Sequence, residues 1–496
     1  VSDDAGTNWT KIEIFAEVPE TTYVSDVFAS AHDENVVYAT FNNHKRNDYK
    51  PYVLKSTDKG QTWSSINGNL PDDEPIWTIY EDHENPNLLF AGTEFSLYFT
   101  IDGGTKWIKL NSGLPPIAVR DLEIQKKEND LIVGTFGRGI YILDDFSPLR
   151  EVSKETFEKD FHIFPIKDAL MFNQSSSKQK SAQGEDFFRV KNPEYGAVFT
   201  YYLKEGFKTK KDTRKEKEKE IEKEKKPYTY PTWDKLRAED LEEGAYLIFE
   251  ISDAAGNQVR RQIESPKKGI NRINWDLCYA SKSPISKKTK TDKHSDFHVM
   301  PGKYNVTTYK SINGKIEKLS EPVEFIVKRL KNSILPAEDE KALVAFQSKL
   351  SKLQQAILGT DKFIAEANER IDLVKVALQN TPEAPQELLE QVRDFELRLG
   401  EIKVKLNGDP SLSKRNANQP PSIKDRMWHI VYSTSWSSSA PTQTAKQAYS
   451  IIAEEFVPEL DKLRKLINID LDAIEKKLQK MDAPWTPGRI PYWKPE

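Results

Sequence analysis

One eight-residue pattern, Ser/Thr-x-Asp-x-Gly-x-x-Trp, occurs three times in the first part of the chain, beginning at Ser2, Ser56 and Thr100. The copies recur at an interval of roughly 50 residues, and a fixed motif at such an interval is typical of β-sheets repeated around an axis. We therefore predict that the first part of the chain folds as a series of similar antiparallel sheets.

Each residue type in the pattern has a physical reason to be there. The Asp carboxylate can accept hydrogen bonds from the N–H groups of a tight turn, and Gly adopts backbone conformations that other residues avoid. The Trp ring is expected to bury a large area against a neighbouring sheet. The predicted structural turns comprise Ser2, Asp4, Gly6 and Trp9; Ser56, Asp58, Gly60 and Trp63; and Thr100, Asp102, Gly104 and Trp107.

The pattern resembles the Asp-box, or bacterial neuraminidase (BNR) repeat, of β-propeller hairpins. This resemblance implies propeller blades in residues 1–150, and the box is a structural turn in sialidases, xyloglucanases and sortilin-like receptors alike. Because Val1 leads directly into a turn, we expect these blades to be the C-terminal ones of a longer propeller, with the remaining blades upstream. The degenerate fourth copy, which ends near Asp145, has lost the Gly and the Trp.

Three further segments are similar to a group of large bacterial Asp-box proteins that are labelled sortilin-like or glycosyl hydrolase: Leu88–Phe95, Gly134–Gly139 and Leu143–Arg150. In that group the second segment usually reads Gly-Thr-His-Gly-Arg, and Phe136 stands here in place of the His. A role for that His is therefore not open to this chain. The cysteine-rich modules that follow the propeller in sortilin receptors are also absent from the sequence.

Length and composition limit the number of domains and the classes of partner. A chain of 496 residues is long enough for about three domains. Charged residues make up 30% of it but nearly cancel, to a net charge of −4, which argues against a dedicated binder of nucleic acid or anionic membranes. No apolar run is long enough to cross a membrane. The single cysteine, Cys278, cannot form an internal disulfide.

Periodicity predicts a multidomain chain. Alternating apolar residues predict strands such as Ile76–Tyr80 and Ala197–Leu203, and from Leu335 the apolar spacing is helical. Thr381-Pro382 and Thr442 are predicted helix starts, Asn407-Gly408 a stop, and Pro458 a bend. The predicted division is propeller blades at 1–150, a linker at 151–184, an immunoglobulin-like β-sandwich at 185–330 with a charged insertion at 204–230, an antiparallel α-helical bundle at 335–482, and an extended Pro- and aromatic-rich tail at 483–496.

The sandwich prediction depends on a second resemblance. Ile251–Asn257, Gly269–Leu277 and Pro301–Tyr304 are similar to the immunoglobulin-like domain of flagellar hook-capping proteins. Trp275 is predicted as a core ring between two sheets rather than as a sugar-stacking platform. In the insertion, Lys208–Lys226 interleaves Lys with Glu, which favours a solvated loop or helix over a nucleic-acid tract.

Candidate catalytic residues are present by type, but the sequence does not assemble them. A sialidase needs an arginine cluster, a Tyr–Glu nucleophile pair and an acid/base Asp, and the arginines Arg46, Arg120 and Arg138 occupy no recognisable sialidase setting. Arg489-Ile490-Pro491 matches the sialidase arginine motif in letters only, because it follows the helices. Glycosidases need two carboxylates at a defined separation. The candidates, which are more often structural at strand ends and turns, are Asp82, Glu94, Asp121, Asp144 and Asp145.

The other reactive side chains also favour structural roles. His294-x-x-x-His298 has the spacing of two metal ligands on a helix, but it lacks the Glu of the metalloprotease motif and a third ligand, so we predict a surface loop and no metal site. Cys278 is expected to have no nearby His and is predicted to pack as a small apolar side chain. No cofactor-binding fingerprint is present, and no cofactor is predicted.

Two functional hypotheses follow. The first is a bacterial extracytoplasmic binding or scaffold protein, in which a sortilin-like propeller engages a protein or peptide, with a glycan as the second candidate ligand and no nucleic acid. The second is a sialidase- or xyloglucanase-like glycoside hydrolase whose active site lies mostly in upstream blades. Catalytic residues are unassigned under either hypothesis. The extracytoplasmic location is implied by the family resemblance alone.

Overall fold

The computed structural model describes residues 1–2, 4–15, 17–111, 113–172, 190–285, 295–330, 340–435, 437 and 439–495. Up to residue 329 the chain is organised mainly as antiparallel β-sheets, and a helical region follows them. None of the helices in these described ranges combines the length and the apolar composition that crossing a membrane requires. The predicted boundaries at 184/185 and 335 lie outside the described residues.

Three successive antiparallel sheets occupy the first 150 residues. The first, in the order β1-β2-β3-β4, comprises Tyr23–Ala29, Val37–Asn43, Asp48–Ser56 and Ser64–Ser65. The second, in the order β5-β6-β7-β8, comprises Ile76–Glu81, Leu89–Thr93, Leu97–Thr100 and Trp107–Lys109. The third, in the order β11-β10-β9, comprises Val119–Gln125 (β9), Asp130–Thr135 (β10) and Ile140–Leu143 (β11).

The second sheet packs on both of its neighbours. Leu89 belongs to an apolar cluster shared with the first sheet, and the next residue, Phe90, belongs to a cluster shared with the third sheet. Successive side chains of a strand point to opposite faces, so a strand buried on both sides is apolar along its whole length. Buried polar contacts add specificity, because Tyr38 donates its hydroxyl proton to Glu81 Oε1 at 2.8 Å across the first interface. The repeat therefore produces stacked sheets.

A second β-region follows. Its strands are Phe161–Ile163 (β12), Ala169–Met171 (β13), Ala197–Leu203 (β14), Tyr246–Asp253 (β15), Gln258–Glu264 (β16), Gly269–Trp275 (β17), Cys278–Ala280 (β18), Ser295–His298 (β19), Gly302–Ile312 (β20), Lys315–Lys318 (β21) and Val323–Arg329 (β22). They form sheets in the orders β12-β14-β17, β13-β22-β20-β15-β16 with β21 beside β20, and β18-β19. Trp275 is fully buried in the apolar cluster shared by the first two of these sheets, so the prediction of a core ring is confirmed.

The prediction that 151–184 is a linker is wrong for much of its described part. A short helix, Lys154–Glu158 (α1), is followed by β12, which pairs with β14, and by β13, which pairs in parallel with β22. Phe161, Ile163, Ala169 and Met171 are buried in the same cluster as Trp275. The strands are only three residues long, which is too short for their alternation to be recognised without knowing their partners. Residues 173–184 of this segment lie outside the described residues.

The charged insertion at 204–230 contains one helix without a core, Lys210–Lys223 (α2), and a second such helix, Trp233–Asp240 (α3), follows the insertion. Neither helix has a buried residue, which agrees with the predicted solvated helix. Thr209 and Asp212 form a capping box at the start of α2, which satisfies N–H groups that a helix end leaves free. Arg214 Nε lies 2.8 Å from Glu239 Oε1 and joins the two helices.

The helical region comprises Glu340–Gln379 (α4), Gln386–Asn407 (α5), Pro410–Ser413 (α6), Ile423–Ser435 (α7), Gln443–Lys465 (α8) and Asp472–Lys480 (α9), with a π-helical turn at Leu466–Leu471. Thr442 accepts from Ala445 N–H as the N-cap of α8, and α5 ends at Asn407 before Gly408, as predicted. The predicted start of α5 at Thr381-Pro382 is wrong, because the Thr381 hydroxyl donates to Ala377 O in the last turn of α4. Residues 483–495 contain no regular helix or strand, and Thr486 is buried there.

Candidate functional site

The three patterned segments form turns with the same hydrogen bonds. In the second copy the Ser56 hydroxyl donates to Asp58 Oδ1 at 2.7 Å and accepts from Gly60 N–H at 2.8 Å. Asp58 Oδ1 also accepts from Thr62 N–H at 2.8 Å. The first and third copies repeat these bonds through Ser2, Asp4 and Gly6 and through Thr100, Asp102 and Gly104. The three glycines have positive φ angles of 89°, 84° and 102°.

These turns hold their carboxylates in the charged form. Hydrogen bonds from the Thr62 hydroxyl and backbone lower the pKa of Asp58 to about 2. The pKa of Asp4 is lowered by the N–H of Asn8 and the hydroxyl of Ser2. Burial by itself raises the pKa of Asp102, but hydrogen bonds from Lys106 N–H and Thr100 outweigh it and the net direction is down. Carboxylates engaged in this way are suited to holding a turn and poorly suited to donating a proton.

The Trp residues of the pattern do not all behave as predicted. Trp107 is buried and donates its indole N–H to Ile66 O at 2.9 Å, in the connection between β4 and β5, so it packs on the preceding sheet as predicted. The prediction of a buried ring is wrong for Trp9, which is 74% exposed and donates to Gly6 O of its own turn. Trp63 is half-buried, donates to Gly60 O, and lies against Phe15. Burial of this ring therefore depends on an adjacent sheet and is not a property of the turn.

A cluster of aromatic and charged side chains lies at the ends of the strands of the first three sheets that are opposite to the patterned turns. We name it the loop cluster and define it as His44, Trp77, Glu94, Arg120 and Phe136. His44 follows β2 and Glu94 follows β6, Phe136 follows β10, and Trp77 and Arg120 lie near the starts of β5 and β9. In an antiparallel sheet the second-to-third connection and the third-to-fourth connection are at opposite ends, so the loop cluster is remote from the patterned turns.

Arg120 is at the centre of the loop cluster. Its guanidinium carbon lies 3.4 Å from the centroid of the Trp77 ring and 5.2 Å from that of Phe136, so the cation stacks on one aromatic face and approaches a second. Glu94 Oε2 accepts from Trp77 Nε1 at 2.7 Å and from Arg120 Nη2 at 3.2 Å. These contacts join the second sheet to the third. The His44 ring meets Trp77 edge-on at 5.6 Å and extends the cluster to the first sheet.

The backbone of the cluster is anchored by repeated bonds. Glu94 N–H donates to Pro75 O at 3.0 Å, and Phe136 N–H donates to Ala118 O at 2.9 Å. These bonds are equivalent, since each joins the residue after the second strand of a sheet to the residue before its first strand. The backbone hydrogen bond at this position is thus the same in the second and third sheets, while the side chain differs. Phe95 and Phe136 are well exposed beside it, which leaves an aromatic surface available for contact.

The cluster combines a stacked cation, exposed aromatic rings and an ion pair that is open to solvent. A cation stacked on an indole contributes about 0.5–1 kcal/mol at an exposed site and about 2 kcal/mol or more where water is excluded. A ligand that covers Phe136 would remove water from the Arg120–Trp77 pair and strengthen it. The side chains of Glu94 and Arg120 are each 34% exposed, so their ion pair is open to solvent on one side. Aromatic residues and Arg are the types enriched where proteins bind proteins.

The predicted candidate carboxylates make different contacts. Buried Asp82 binds Arg150, and Asp145 Oδ1 accepts from the Ser147 hydroxyl at 2.6 Å. Asp121 is exposed and accepts from Leu122 N–H, while Glu94 belongs to the loop cluster. Asp144 follows the last residue of β11, whereas Phe136 precedes the first, so the strand separates them by more than about 13 Å at roughly 3.3 Å per residue. These bonds agree with the predicted structural roles.

The predicted arginine candidates likewise serve different contacts. Arg46 donates to Thr21 O and lies over the Tyr23 ring, and Arg120 binds the Glu94 carboxylate. Arg138 is exposed on the turn between β10 and β11. Arg489 donates to Thr486 Oγ1 at 3.1 Å and to the Pro484 carbonyl, which ties the tail into a turn. A sialidase-type cluster would need several of these guanidinium groups around one carboxylate.

The expectation that Cys278 has no neighbouring His is wrong. Cys278 Sγ lies 3.3 Å from His298 Nδ1, because β18 pairs with β19 and places the two residues opposite each other. Burial lowers the pKa of His298, which favours the neutral ring. The predicted surface loop is also wrong for His298, which is on a strand; His294 lies outside the described residues. Cys278 itself is buried, and no group of three metal-binding side chains occurs among the described residues.

Sequence reasoning missed His44, Trp77 and the meeting of Arg120 with Glu94. Aligning the sheets shows a usable signal, since Trp77 and Arg120 occupy one repeat position and Glu94 and Phe136 occupy another. Aromatic or charged residues at positions where a strand begins or ends are candidates for contact with a ligand. The pairing across sheets was not predictable, because it depends on how neighbouring sheets are stacked.

Comparison with known proteins does not assign a family. No family model matches the chain, and no curated protein matches it. Among solved structures it is similar to the extracellular domain of BT4673 from B. thetaiotaomicron (13% identity, 62% of this chain and 31% of that chain covered, TM-score 0.19). It is also similar to the GH74 xyloglucanase from Xanthomonas campestris (12% identity, 61% and 49% covered, TM-score 0.22) and to an ancestral GH74 enzyme (11% identity, 64% and 39% covered, TM-score 0.20). The matched region spans less than half of each of these proteins, and similarity at this level does not assign an activity to the chain.

Proposed function

We propose that this chain is a bacterial, extracytoplasmic and non-catalytic binding or scaffold protein. In this proposal residues 1–150 are blades of an Asp-box β-propeller that resembles the sortilin propeller and engages a protein or peptide through the loop cluster. Residues 185–330 are an immunoglobulin-like sandwich, 335–482 an antiparallel helical bundle, and 483–496 a tail that docks on another surface. The last three parts connect the propeller to a cell-envelope complex.

The observation that supports the proposal is the composition and exposure of the loop cluster. Arg120 stacks on Trp77 and approaches Phe136, and Arg and Trp are among the residue types that dominate the binding energy of protein interfaces. The only carboxylate in the cluster, Glu94, already accepts from Trp77 and Arg120. A surface whose only carboxylate is already hydrogen-bonded and whose aromatic rings are exposed gains more from burial against another protein than from hydrogen bonds to the hydroxyl groups of a sugar.

The alternative is a glycoside hydrolase, and one observation favours it. Burial raises the pKa of Asp144, and the charge of Asp130 raises it further, which is how a general acid is kept protonated. The same catalysis needs a second carboxylate at a defined separation across a sugar-binding cleft. Asp144 lies at the end of β11 that is remote from the exposed rings of the loop cluster. The glycosidase would therefore need a cleft other than this cluster.

A comparison of three proteins tests the proposal. The wild-type chain and its Phe136→Ala and Phe363→Ala variants would each be tagged and incubated with a bacterial envelope extract, and retained polypeptides would be quantified by mass spectrometry. Phe363 is a matched control because it is an exposed Phe on α4, outside the loop cluster. We expect one stoichiometric polypeptide that Phe136→Ala loses at least tenfold, which corresponds to a cost of about 1.4 kcal/mol or more, and that Phe363→Ala retains.

Two results would contradict the proposal. Equal retention of the polypeptide by wild type and Phe136→Ala would show that the loop cluster does not bind it. Release of reducing ends from polysaccharides by the purified chain, at a rate that Asp144→Asn abolishes, would establish the glycosidase alternative instead.

A further inference from the structure

Among the described residues, the third sheet has one strand fewer than the two before it. The first and second sheets each have four strands, and the last of these, β4 and β8, lie along the outer edges of β3 and β7. In the third sheet the strand that corresponds to β3 and β7 is β11, which pairs with β10 on one side. Within the described part of the chain no strand pairs with its other side.

The outward backbone groups of β11 can be identified from the ladder. Thr135 N–H donates to Gly139 O, and in an antiparallel pair hydrogen-bonded and non-hydrogen-bonded positions alternate. The N–H and C=O groups of Ile140 and Ile142 therefore point away from β10. In the second sheet the equivalent residues are Leu97 and Phe99. There Leu97 O accepts from Leu110 N–H at 2.9 Å, and Phe99 is paired with Ile108 of β8.

The side chains along β11 are also exposed. Leu97 and Phe99 are 1% and 7% exposed because they pack in the apolar cluster shared with the third sheet, whereas Ile140 and Ile142 are 71% and 59% exposed. The edge of β11 is therefore flanked by apolar side chains that contact solvent. Exposed edges in folded proteins are usually blunted by Lys, Pro or a bulge. β11 reads Ile-Tyr-Ile-Leu and has none of these, while the edge strands β16 and β17 carry Arg261 and Arg272.

We propose that the outer edge of β11 binds an extended strand of a partner polypeptide, which adds to the third sheet as its fourth strand. The strand runs antiparallel to β11, as β8 runs antiparallel to β7. Its backbone bonds to Ile140 and Ile142, and it places an apolar side chain beside Ile142, where β8 places Ile108 beside Phe99. Arg272 donates to Asp144 O at 2.8 Å just beyond β11 and marks the end of this site.

The inference depends on the proposed function only in taking a polypeptide as the ligand. The surface is different, because the loop cluster uses side chains at strand ends whereas this site uses the backbone of one strand. A partner that engages both would pass from Phe136 along β11, since Phe136 begins the turn that leads into this strand.

The test uses a synthetic peptide with the sequence of residues 105–111 of this chain, which contains β8. The peptide would carry a fluorescent label and be titrated against the full chain, with anisotropy as the readout and hydrogen exchange at Ile140 and Ile142 as the map. Ile142→Pro removes the outward N–H and leaves the bonds to β10 intact, and Ile142→Thr is the control that keeps the donor. We expect protection of both amides in the wild type, binding at least tenfold weaker for Ile142→Pro, and binding within threefold of wild type for Ile142→Thr.

Hydrogen exchange in β9 and β10 of Ile142→Pro verifies that the sheet is still folded. The proposal is overturned if saturating peptide leaves Ile140 and Ile142 unprotected, or if a folded Ile142→Pro binds as well as wild type. It is also overturned if light scattering shows a dimer that Ile142→Pro dissociates, because the edge would then pair with a second copy. Phe136→Ala should bind the peptide normally, so failure here and failure of the loop-cluster proposal are distinguishable.

Discussion

The buried ion pair between Asp82 and Arg150 should control the opening of the second sheet. Asp82 is fully buried at the end of β5, and Arg150 holds it with two parallel bonds, from Nε at 2.7 Å and from Nη2 at 2.8 Å. Arg150 follows the third sheet, so the pair ties the end of the second sheet to the segment after β11. The same guanidinium also contacts Asn129 and the more exposed Glu84. We predict that Asp82→Ala strongly destabilises this junction.

The expected magnitude follows from the contacts that remain. Removing one partner of a buried ion pair costs about 3–5 kcal/mol, because the other charge is left without compensation. Arg150 would still have Glu84 and Asn129, which places the cost near the lower limit, at about 3 kcal/mol. At 1.4 kcal/mol per factor of ten, this is roughly a 100-fold increase in the population of the locally open state. Glu84→Ala removes only the exposed contact and should cost about 0–1 kcal/mol.

Hydrogen exchange measured on fragments covering residues 76–93 is the appropriate assay, since it reports local opening without requiring the whole chain to unfold in one step. Asp82→Ala should accelerate exchange there by about two orders of magnitude, and Glu84→Ala by less than about fivefold. Adding Arg150→Met to Asp82→Ala should recover part of the loss, because the uncompensated charge is then gone. The reasoning is refuted if Asp82→Ala and Glu84→Ala accelerate exchange equally, or if the double variant opens faster than the single one.

Three further predictions concern the turns and the buried thiol. Trp107→Ala should lower the free energy of unfolding measured in urea by about 3–5 kcal/mol, and exposed Trp9→Ala by less than about 0.5 kcal/mol; equal losses would contradict the burial argument. The pKa of Asp58 is lowered to about 2, so its stabilisation of the turn is complete above about pH 4 and is lost as the pH falls towards 2. Protection of the Thr62 amide from hydrogen exchange should follow this pH dependence, and Asp58→Asn should remove it. Cys278 should react with iodoacetamide only as its sheet opens, and rapid labelling in water would contradict its burial.

Elements defined by local pattern were predictable from the sequence. Strand Ala197–Leu203 has the predicted bounds, and α5 stops before Gly408, whose φ of 86° suits a residue without a Cβ. Both features depend on neighbours in the chain, through alternation in the strand and through the local backbone at the helix end. The start of α5 at Gln386 was not predictable in the same way, because its N-cap position is occupied by Pro385 and has no side-chain bond.

Features created by strand pairing could not be predicted from the local sequence pattern. Cys278 and His298 are brought together by the register of two short strands, and nothing around either residue in the sequence specifies that register. The three-residue strands at Phe161–Ile163 and Ala169–Met171 are defined by their partners in the same sense. The loop cluster is a third case, since the stacking of sheets brings Arg120 to Trp77 and Glu94.

Under the proposed function, one end of the stacked sheets serves stability and the other serves recognition. At one end the patterned turns repeat both their hydrogen bonds and their residue types, so a substitution there removes a bond that stabilises the turn. At the other end the backbone bonds of Glu94 and Phe136 repeat while the side chains differ. Because the frame at these positions is held by main-chain atoms, Phe136→Ala should alter what the surface binds without altering the sheet. A variant that lost both binding and sheet protection would show that the exposed ring supports the fold, and that the division between the two ends does not hold.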